Sequence, residues 1–475
     1  MTDDPSASPT HVNPWVPAGV VIAATAMVVL DTTIVNVALH EIGVDLGAGD
    51  GIEWVVTAYL LAVCASQPAT GWLADRYGRK RIFLWSLVAF TVASALCGLA
   101  PNLGWLIAFR VLQGFGGGSL MPVGMAMMLG LFPKQQHGRA MSFWGMALMV
   151  APAIGPTVGG WLVTEVSWHW LFLINVPIGV AAVLFGSRLL PDVGHREHRP
   201  FDALGLALGS IGLTVAILGV SEGGSWGWRS PATIGCITVG VVLLVAFVRH
   251  VLGAEHPLLD LRMFSDRPSS LSIGAMLFIT GANYARLVFV PLQLEDLRGY
   301  TALRVGMMFF VPAIVTAVGM SIGGRLVDRI GPRVPSITGC LFMIVAMFGF
   351  ARLTLTTPTG VIVAFLAVQG FGMGISMSPL TVAGLSELPA RLVSQGTAIR
   401  SLAGQLSGAV AVALLSAVIV TNMGTDPTPQ ESQDAYNSAF VWAGVGVVVA
   451  LSLAYRLPRR VHVEAELHDP MVAVE

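Results

Sequence analysis

Hydrophobic residues make up 55% of this 475-residue chain and charged residues only 11%, with a formal net charge of −1. A soluble protein of this length needs far more charge to cover its surface, so the composition excludes an ordinary soluble domain. The 54 glycines suit helices that pack closely in lipid, so we expect a protein embedded in a bilayer, with no nucleic-acid partner.

Apolar stretches of about 20 residues, the length needed to cross a membrane, recur along the whole chain. They predict an all-α membrane protein with about fourteen transmembrane helices. The predicted segments lie near residues 15–39, 54–74, 81–100, 104–131, 140–163, 169–190, 203–221, 231–250, 270–294, 304–324, 334–353, 358–386, 393–421 and 438–455.

The basic residues are unevenly distributed between the loops on the two sides of the predicted membrane. Of the 26 Lys and Arg residues, about twenty fall on one side, including Arg76 and Lys80, and about four on the other, including Arg298 and Arg352. Lys and Arg collect on the cytoplasmic side of membrane proteins. We therefore expect the first side to be cytoplasmic, with both chain termini there.

Two sequence motifs occur twice, which indicates an internal repeat. Gly71–Arg81 (GWLADRYGRKR) returns as Gly324–Arg333 (GRLVDRIGPR), an offset of 253 residues. Gln113–Pro122 (QGFGGGSLMP) returns as Gln369–Ser378 (QGFGMGISMS), an offset of 256 residues. Two homologous membrane halves in one chain are typical of secondary transporters. Six helices need roughly 200 residues, so the offset leaves room for two additional helices between the halves.

The repeat predicts two pseudo-symmetric six-helix halves, at 15–190 and 269–455. Two inserted helices with flanking cytoplasmic loops occupy 191–268, and cytoplasmic tails occupy 1–14 and 456–475.

Four motifs resemble those of the major facilitator superfamily, specifically its fourteen-helix drug–proton antiporter branch. Gly71–Lys80 matches the signature loop at every strong position, whereas Pro332 replaces the first basic position of the second copy. Leu30–Leu39 (LDTTIVNVAL) resembles the first-helix motif, and Arg110-x-x-Gln113-Gly114 the fourth-helix motif. The fifth-helix exporter motif is represented by Gly145, Gly155, Pro156, Gly159 and Gly160.

In the superfamily, the signature loop holds the two halves together in one state and releases them in the other. The resemblance assigns this latch role to Gly71, Asp75, Arg76, Gly78, Arg79 and Lys80. Glycine permits a tight turn and close approach at two of these positions. The basic residues also serve as a topology signal, which does not explain Asp75.

Asp31, Arg110 and Arg286 are charged residues inside predicted helices. Asp31 and Arg286 lie roughly 12 Å from the outer ends of their segments, and Arg110 roughly 9 Å. An intramembrane carboxylate is a functional candidate by default, so we expect Asp31, with Arg110, to couple protons to transport. The alternatives are a structural aspartate that braces a neighbouring helix, and an arginine that extends to the headgroups.

A substrate cavity between the halves is the remaining candidate site. The resemblance implies that predicted segments one, four, nine and twelve line it. Its candidate contacts are polar, aromatic or basic residues of these segments: Gln113, Phe115, Asn283, Tyr284, Arg286, Gln369 and Phe371. For the two glutamines, interhelical hydrogen bonding is an equal alternative.

The expected function is efflux of small amphipathic drugs or antibiotics across a bacterial cytoplasmic membrane, driven by proton entry. We expect a monomer that uses the proton gradient and no cofactor. The four cysteines lie far apart in apolar segments, so neither a disulfide framework nor a metal site is indicated. The alternatives are an uptake symporter or facilitator of the same fold and, more remotely, a membrane enzyme or sensor. The short loops and the absence of a catalytic motif disfavour the latter.

Overall fold

The structure is a computed structural model that describes residues 13–47, 49–192, 200–227, 230–254, 257, 267–300, 302–385, 388, 392–423 and 427–459. The expected N-terminal tail and most of the expected C-terminal tail lie outside these residues, as do most of the loops that flank the inserted helices.

Seventeen α-helices and two short 3₁₀ helices account for the regular structure of the described residues, which contain no strand. The α-helices are α1 (Trp15–Val37), α2 (Leu39–Asp45), α3 (Trp54–Tyr77), α4 (Arg79–Cys97), α5 (Leu103–Leu131), α6 (His137–Glu165), α7 (His169–Leu173), α8 (Asn175–Leu189), α9 (Ala203–Ser221), α10 (Gly223–Trp226), α11 (Pro231–Gly253), α12 (Arg267–Arg298), α13 (Ala302–Ile330), α14 (Arg333–Phe350), α15 (Thr359–Leu385), α16 (Val393–Asn422) and α17 (Pro429–Tyr455).

Polar residues just outside the apolar runs set several helix starts. The side chains of Asn102 and Asp202 accept hydrogen bonds from the first turns of α5 and α9. Thr428 and Glu431 form a reciprocal capping box at α17. Such caps satisfy backbone N–H groups that have no partner within the helix.

Thirteen helical segments of the described part are long and apolar enough to cross a membrane, α7 and α8 together forming one of them. The 29-residue α6 is a further long helix, which packs between α1 and α13. The prediction of an all-α membrane bundle with about fourteen spans is therefore confirmed.

The inserted helices α9 and α11 pack on each other and attach mainly to α3. The Ser210 hydroxyl donates to the Ala65 carbonyl oxygen at 2.7 Å, and the Thr57 hydroxyl donates to Glu222 at 3.3 Å. α9 also contacts α16 of the second half. The insertion therefore lies against the bundle beside the junction of the two halves.

The junction of α3 and α4 corrects the expected loop at 75–80. Helix α3 continues to Tyr77 and α4 begins at Arg79, so Gly78 alone separates them. Its φ of 93° lies in the left-handed region, which favours glycine. We call the end of the bundle with this junction the basic end, because Arg76, Arg79 and Lys80 lie there.

The two halves meet toward the basic end. Ala74 and Ile82 of the first half share a buried apolar cluster with Val393 and Leu402 of the second. By contrast, the buried cluster around Ile34, nearer the opposite end, contains only first-half residues. The contact surface between the halves is thus concentrated in one part of the bundle, as expected for a transporter closed on one side.

Candidate functional site

Asp31 is fully buried in α1 and lies at the centre of a hydrogen-bonded cluster. Its Oδ2 is 2.7 Å from Nη1 of Arg110. Its Oδ1 accepts hydrogen bonds from Nε2 of Gln113 at 3.0 Å and from Nδ2 of Asn175 at 2.7 Å. Three helices of the first half therefore converge on one carboxylate, because α1 supplies it, α5 two donors and the start of α8 a third.

The Arg110 guanidinium is fixed on every side. Nη1 also donates to Gln113 Oε1 at 2.7 Å, and Nε donates to the Val55 carbonyl oxygen at 3.0 Å. Its central carbon lies 4.0 Å from the centre of the Tyr59 ring and 5.7 Å from that of Phe172. A cation held over aromatic faces and paired with a carboxylate has replaced most of its lost hydration.

Asn175 is the member of the cluster that the sequence motifs do not reveal. It is fully buried at the first position of α8, directly after the break at Ile174. Its Nδ2 also lies 3.1 Å from the Ser94 hydroxyl, which in turn donates to the Phe172 carbonyl oxygen at 2.9 Å. The interruption between α7 and α8 was the available signal, since non-helical breaks in membrane helices often position polar groups.

Three side-chain donors surround the Asp31 carboxylate. The ionised carboxylate has one cationic and two amide donors, an arrangement that compensates a buried negative charge. These hydrogen bonds connect α1 to both α5 and α8.

Asp75 connects the halves at the basic end. It is buried near the end of α3, and its Oδ2 accepts a hydrogen bond from Nε2 of Gln395 in the first turn of α16 at 2.9 Å. Gly71 permits this approach, since a Cβ there would lie 3.1 Å from the Cα atom of Gln395. We call this contact the first latch. The other predicted latch residues surround it, with Arg79 buried, Lys80 partly buried and Arg76 against the Trp72 ring.

Asp328, in the degraded copy of the motif, forms a matching contact that the sequence reasoning missed. Its Oδ1 accepts from the backbone N–H of Gly138 at 3.0 Å and its Oδ2 from that of Arg139 at 3.1 Å, in the first turn of α6. The Ser142 hydroxyl, one turn further along α6, donates to the Met320 carbonyl oxygen of α13 at 2.6 Å. We call this contact the second latch. Here the second half supplies the aspartate and the first half supplies the helix start, the reverse of the first latch.

The glycines of the exporter motif bring α6 close to two neighbours. A Cβ on Gly145 would meet the Met320 side chain of α13, and one on Gly155 would lie 2.2 Å from the Thr33 hydroxyl of α1. Gly159 packs against Ile34, whereas a Cβ on Gly160 would have no heavy atom within 4 Å. Pro156 lies within α6, but its side chain is outside the described part.

The candidate cavity residues do not form one group. Gln113 belongs to the Asp31 cluster, where it forms a hydrogen bond between α5 and α1. This is the alternative role given above for the two glutamines. Gln369 is fully buried, and neither atom of its amide has a partner in the described residues. The Phe371 ring lies against Phe342 with centres 5.0 Å apart, and Phe115 is half exposed. The remaining three, Asn283, Tyr284 and Arg286, are consecutive or nearly so on α12.

Two helical halves joined by an insertion, with buried charges inside the membrane-spanning part, are typical of membrane transporters. The family model described as Major Facilitator Superfamily matches residues 21–412. The chain therefore belongs to the major facilitator superfamily, as its motifs predicted. It is a multi-pass membrane transporter of small-molecule substrates and not an enzyme.

Relatives and solved structures agree with this assignment. The chain is 32% identical over 461 residues to a multidrug resistance protein B homolog of Mycobacterium tuberculosis, covering 95% of this chain and 84% of the relative. It is 35% identical over 406 residues to the multidrug export protein EmrB of Haemophilus influenzae, covering 82% and 78%. The crystal structure of the human organic anion transporter MFSD10 has the same fold, with a TM-score of 0.62, 15% identity and coverage of 92% of this chain and all of that one.

Proposed function

We propose that this chain exports small amphipathic drugs or antibiotics across the bacterial cytoplasmic membrane in exchange for protons. The observation that carries the proposal is the fully buried Asp31 carboxylate, paired with Arg110 at 2.7 Å inside the membrane-spanning part. A buried ionisable group in such a place marks a proton or ion pathway. The names of the two multidrug relatives support the substrate class.

Proton binding to Asp31 would supply the force for the change of state. Breaking a buried ion pair by neutralising one partner costs about 3–5 kcal/mol, which exceeds the free-energy difference of many conformational equilibria. Protonation would release α1 from α5 and α8, because Arg110 and Asn175 belong to those two helices. The proton gradient then serves as the energy source, and no cofactor takes part.

Opening at the basic end would admit the substrate. Both latches must break for this, because Asp75 bonds the second half and Asp328 bonds the first. The excess of basic residues at this end supports a cytoplasmic orientation with both termini inside. In the proposed cycle, a monomer binds its substrate from the cytoplasm, closes the latches and releases the substrate outside as protons enter.

The test is drug-driven proton release from de-energised membrane vesicles, using the substitution Asp31→Asn. This variant keeps the size and one acceptor oxygen of the side chain but removes its ability to titrate. We expect proton release to be abolished while the protein remains inserted. Asp434→Asn is the matched control, because Asp434 is an exposed carboxylate at the start of α17.

Wild-type proton release in Asp31→Asn would contradict the proposed coupling. The direction of transport is tested separately in inverted vesicles with an acidic interior. An exporter accumulates the drug inside such vesicles, whereas an uptake symporter or a facilitator does not.

A further inference from the structure

The second half carries the reverse of the charge arrangement around Asp31. The repeat offsets of 253 and 256 residues place the counterpart of Asp31 between positions 284 and 287, an interval that contains Arg286. The same offsets place the counterpart of Arg110 between positions 363 and 366, where the sequence is Val-Ala-Phe-Leu. An arginine thus occupies the position of the acid, and no charged residue occupies the position of its partner.

Arg286 is more than nine-tenths buried and has no acidic partner among the described residues. Its Nη2 donates to Asn283 Oδ1 at 3.1 Å, and its central carbon lies 5.1 Å from the Phe309 ring centre. Its Nε is buried and has no hydrogen-bond partner in the part of the chain that the structure describes. A neutral amide and a ring face do not balance a full buried charge, so the Arg286 guanidinium lacks a counter-ion among the described residues.

Among the residues that the structure describes, no carboxylate of the second half lies beside Arg286. The described carboxylates of the second half lie near helix ends, at Glu295, Asp296, Asp328, Glu431 and Asp434. Arg400, in α16, is also buried, and its Nη2 lies 4.0 Å from the Met377 sulfur. The membrane-spanning part of this half is therefore cationic, whereas the buried pair in the first half is neutral overall.

Gln369 adds a second unsatisfied group at a similar depth. The outer ends of α15 and α12, away from the basic end, are Thr359 and Arg298. Measured along the helices from these ends, Gln369 lies roughly 15 Å deep and Arg286 roughly 18 Å deep. α12 and α15 pack against each other, and within the described part of the chain both amide atoms of Gln369 lack hydrogen-bond partners. The corresponding Gln113 donates to the Asp31 carboxylate. By this correspondence, the second half retains hydrogen-bond donors, such as Gln369, but contains no carboxylate at the position of Asp31.

We infer that Arg286 is the anchor of a substrate subsite that binds the carboxylate or sulfonate of an acidic amphipathic molecule. The inference rests on the proposed export function, since it names the class of molecule that the same transporter carries. The Arg286 guanidinium would pair with the acid, and Asn283 would hold the guanidinium in place. Arg286 therefore acts in substrate selection, whereas Asp31 acts in proton exchange.

The experiment compares two fluorescent probes that differ only in charge, dansylglycine and its neutral amide. Binding is measured by fluorescence titration of the purified protein in detergent, with no proton gradient. We expect the wild-type protein to bind the acid about tenfold more tightly than the amide, because a buried charge-assisted hydrogen bond contributes at least that factor. Arg286→Gln should remove this preference by weakening acid binding alone, and Arg286→Lys should retain most of it. Arg352→Gln is the control, because it removes an exposed positive charge from the same half.

Equal wild-type affinity for the two probes would overturn the inference, even if Arg286→Gln were too unstable to purify. An equal loss of affinity for both probes in Arg286→Gln would also overturn it, because that result indicates a structural role. Proton-coupled export of other drugs without any acid preference would leave the proposed function intact and refute the subsite. Acid-selective binding without proton-coupled export would support the subsite and refute the proposed function.

Discussion

The substitution Asp328→Ala tests whether the degraded motif copy controls closure of the basic end. Asp328 accepts two backbone hydrogen bonds from the first turn of α6, so it acts as an N-terminal cap supplied by the other half of the protein. Replacing a capping residue by alanine costs about 1 kcal/mol. Because the Asp328 side chain is partly exposed to solvent, we take this central value and add no further charge contribution.

A cost of about 1 kcal/mol changes the ratio of closed to open basic ends about fivefold. Double electron–electron resonance between spin labels measures this ratio. Tyr77→Cys and Ile330→Cys place the labels on exposed positions of the two halves at the basic end, in a background whose native cysteines are replaced by alanine. We expect the ratio of the longer-distance to the shorter-distance population to rise about fivefold in Asp328→Ala relative to the labelled parent.

The matched control is Arg329→Ala, an exposed neighbour at the same end of α13. It should leave the distance distribution unchanged. The reasoning is refuted if Asp328→Ala also leaves the distribution unchanged, or if both variants open the basic end equally. The second result would attribute closure to general surface charge and not to the cap on α6.

Two further predictions concern the first latch and the packing of α6. Asp75→Ala should slow transport and increase the reactivity of cysteines engineered at the basic end, because the bond to Gln395 is lost; unchanged rate and reactivity would leave Asp75 as a topology residue. Gly155→Leu should lower the thermal unfolding temperature in detergent by an amount equivalent to about 1–3 kcal/mol, because its Cβ would lie 2.2 Å from the Thr33 hydroxyl. Gly160→Leu, where a Cβ meets no heavy atom within 4 Å, should have little effect, and equal destabilisation by the two would contradict the packing argument.

The number of helices and their division into two halves could be predicted from the sequence, because these features depend on the composition of long segments and not on single residues. About 20 apolar residues are needed for each crossing, and the repeated motifs required two halves whatever the local detail. Helix ends were less accessible, since the charged residues after position 74 end an apolar run but not the helix. The structure therefore continues α3 to Tyr77, three residues beyond the predicted end.

The site was only partly accessible for a similar reason. Asp31 and Arg110 were predicted at comparable depth, and the structure places them 2.7 Å apart. Asn175 and Gln395 belong to no motif, and their roles arise from helix packing across 144 and 320 residues of sequence. Spacing within a single helix contains no information about such contacts, because they depend on how whole helices are arranged.

The two latches explain which parts of the second motif copy are retained and which are lost. Gly324 allows its backbone to approach Gly138, Asp328 caps α6, and Gly331 takes a φ of 80° at the turn into α14. These three residues make the contact or the turn, and all three match the first copy. The basic position occupied by Pro332 is dispensable for the contact, because the partners of Asp328 are backbone N–H groups at a helix N-terminus, which already favours negative charge. Both ends of the repeat therefore retain an aspartate facing the first turn of a helix in the other half, although the surrounding basic residues differ.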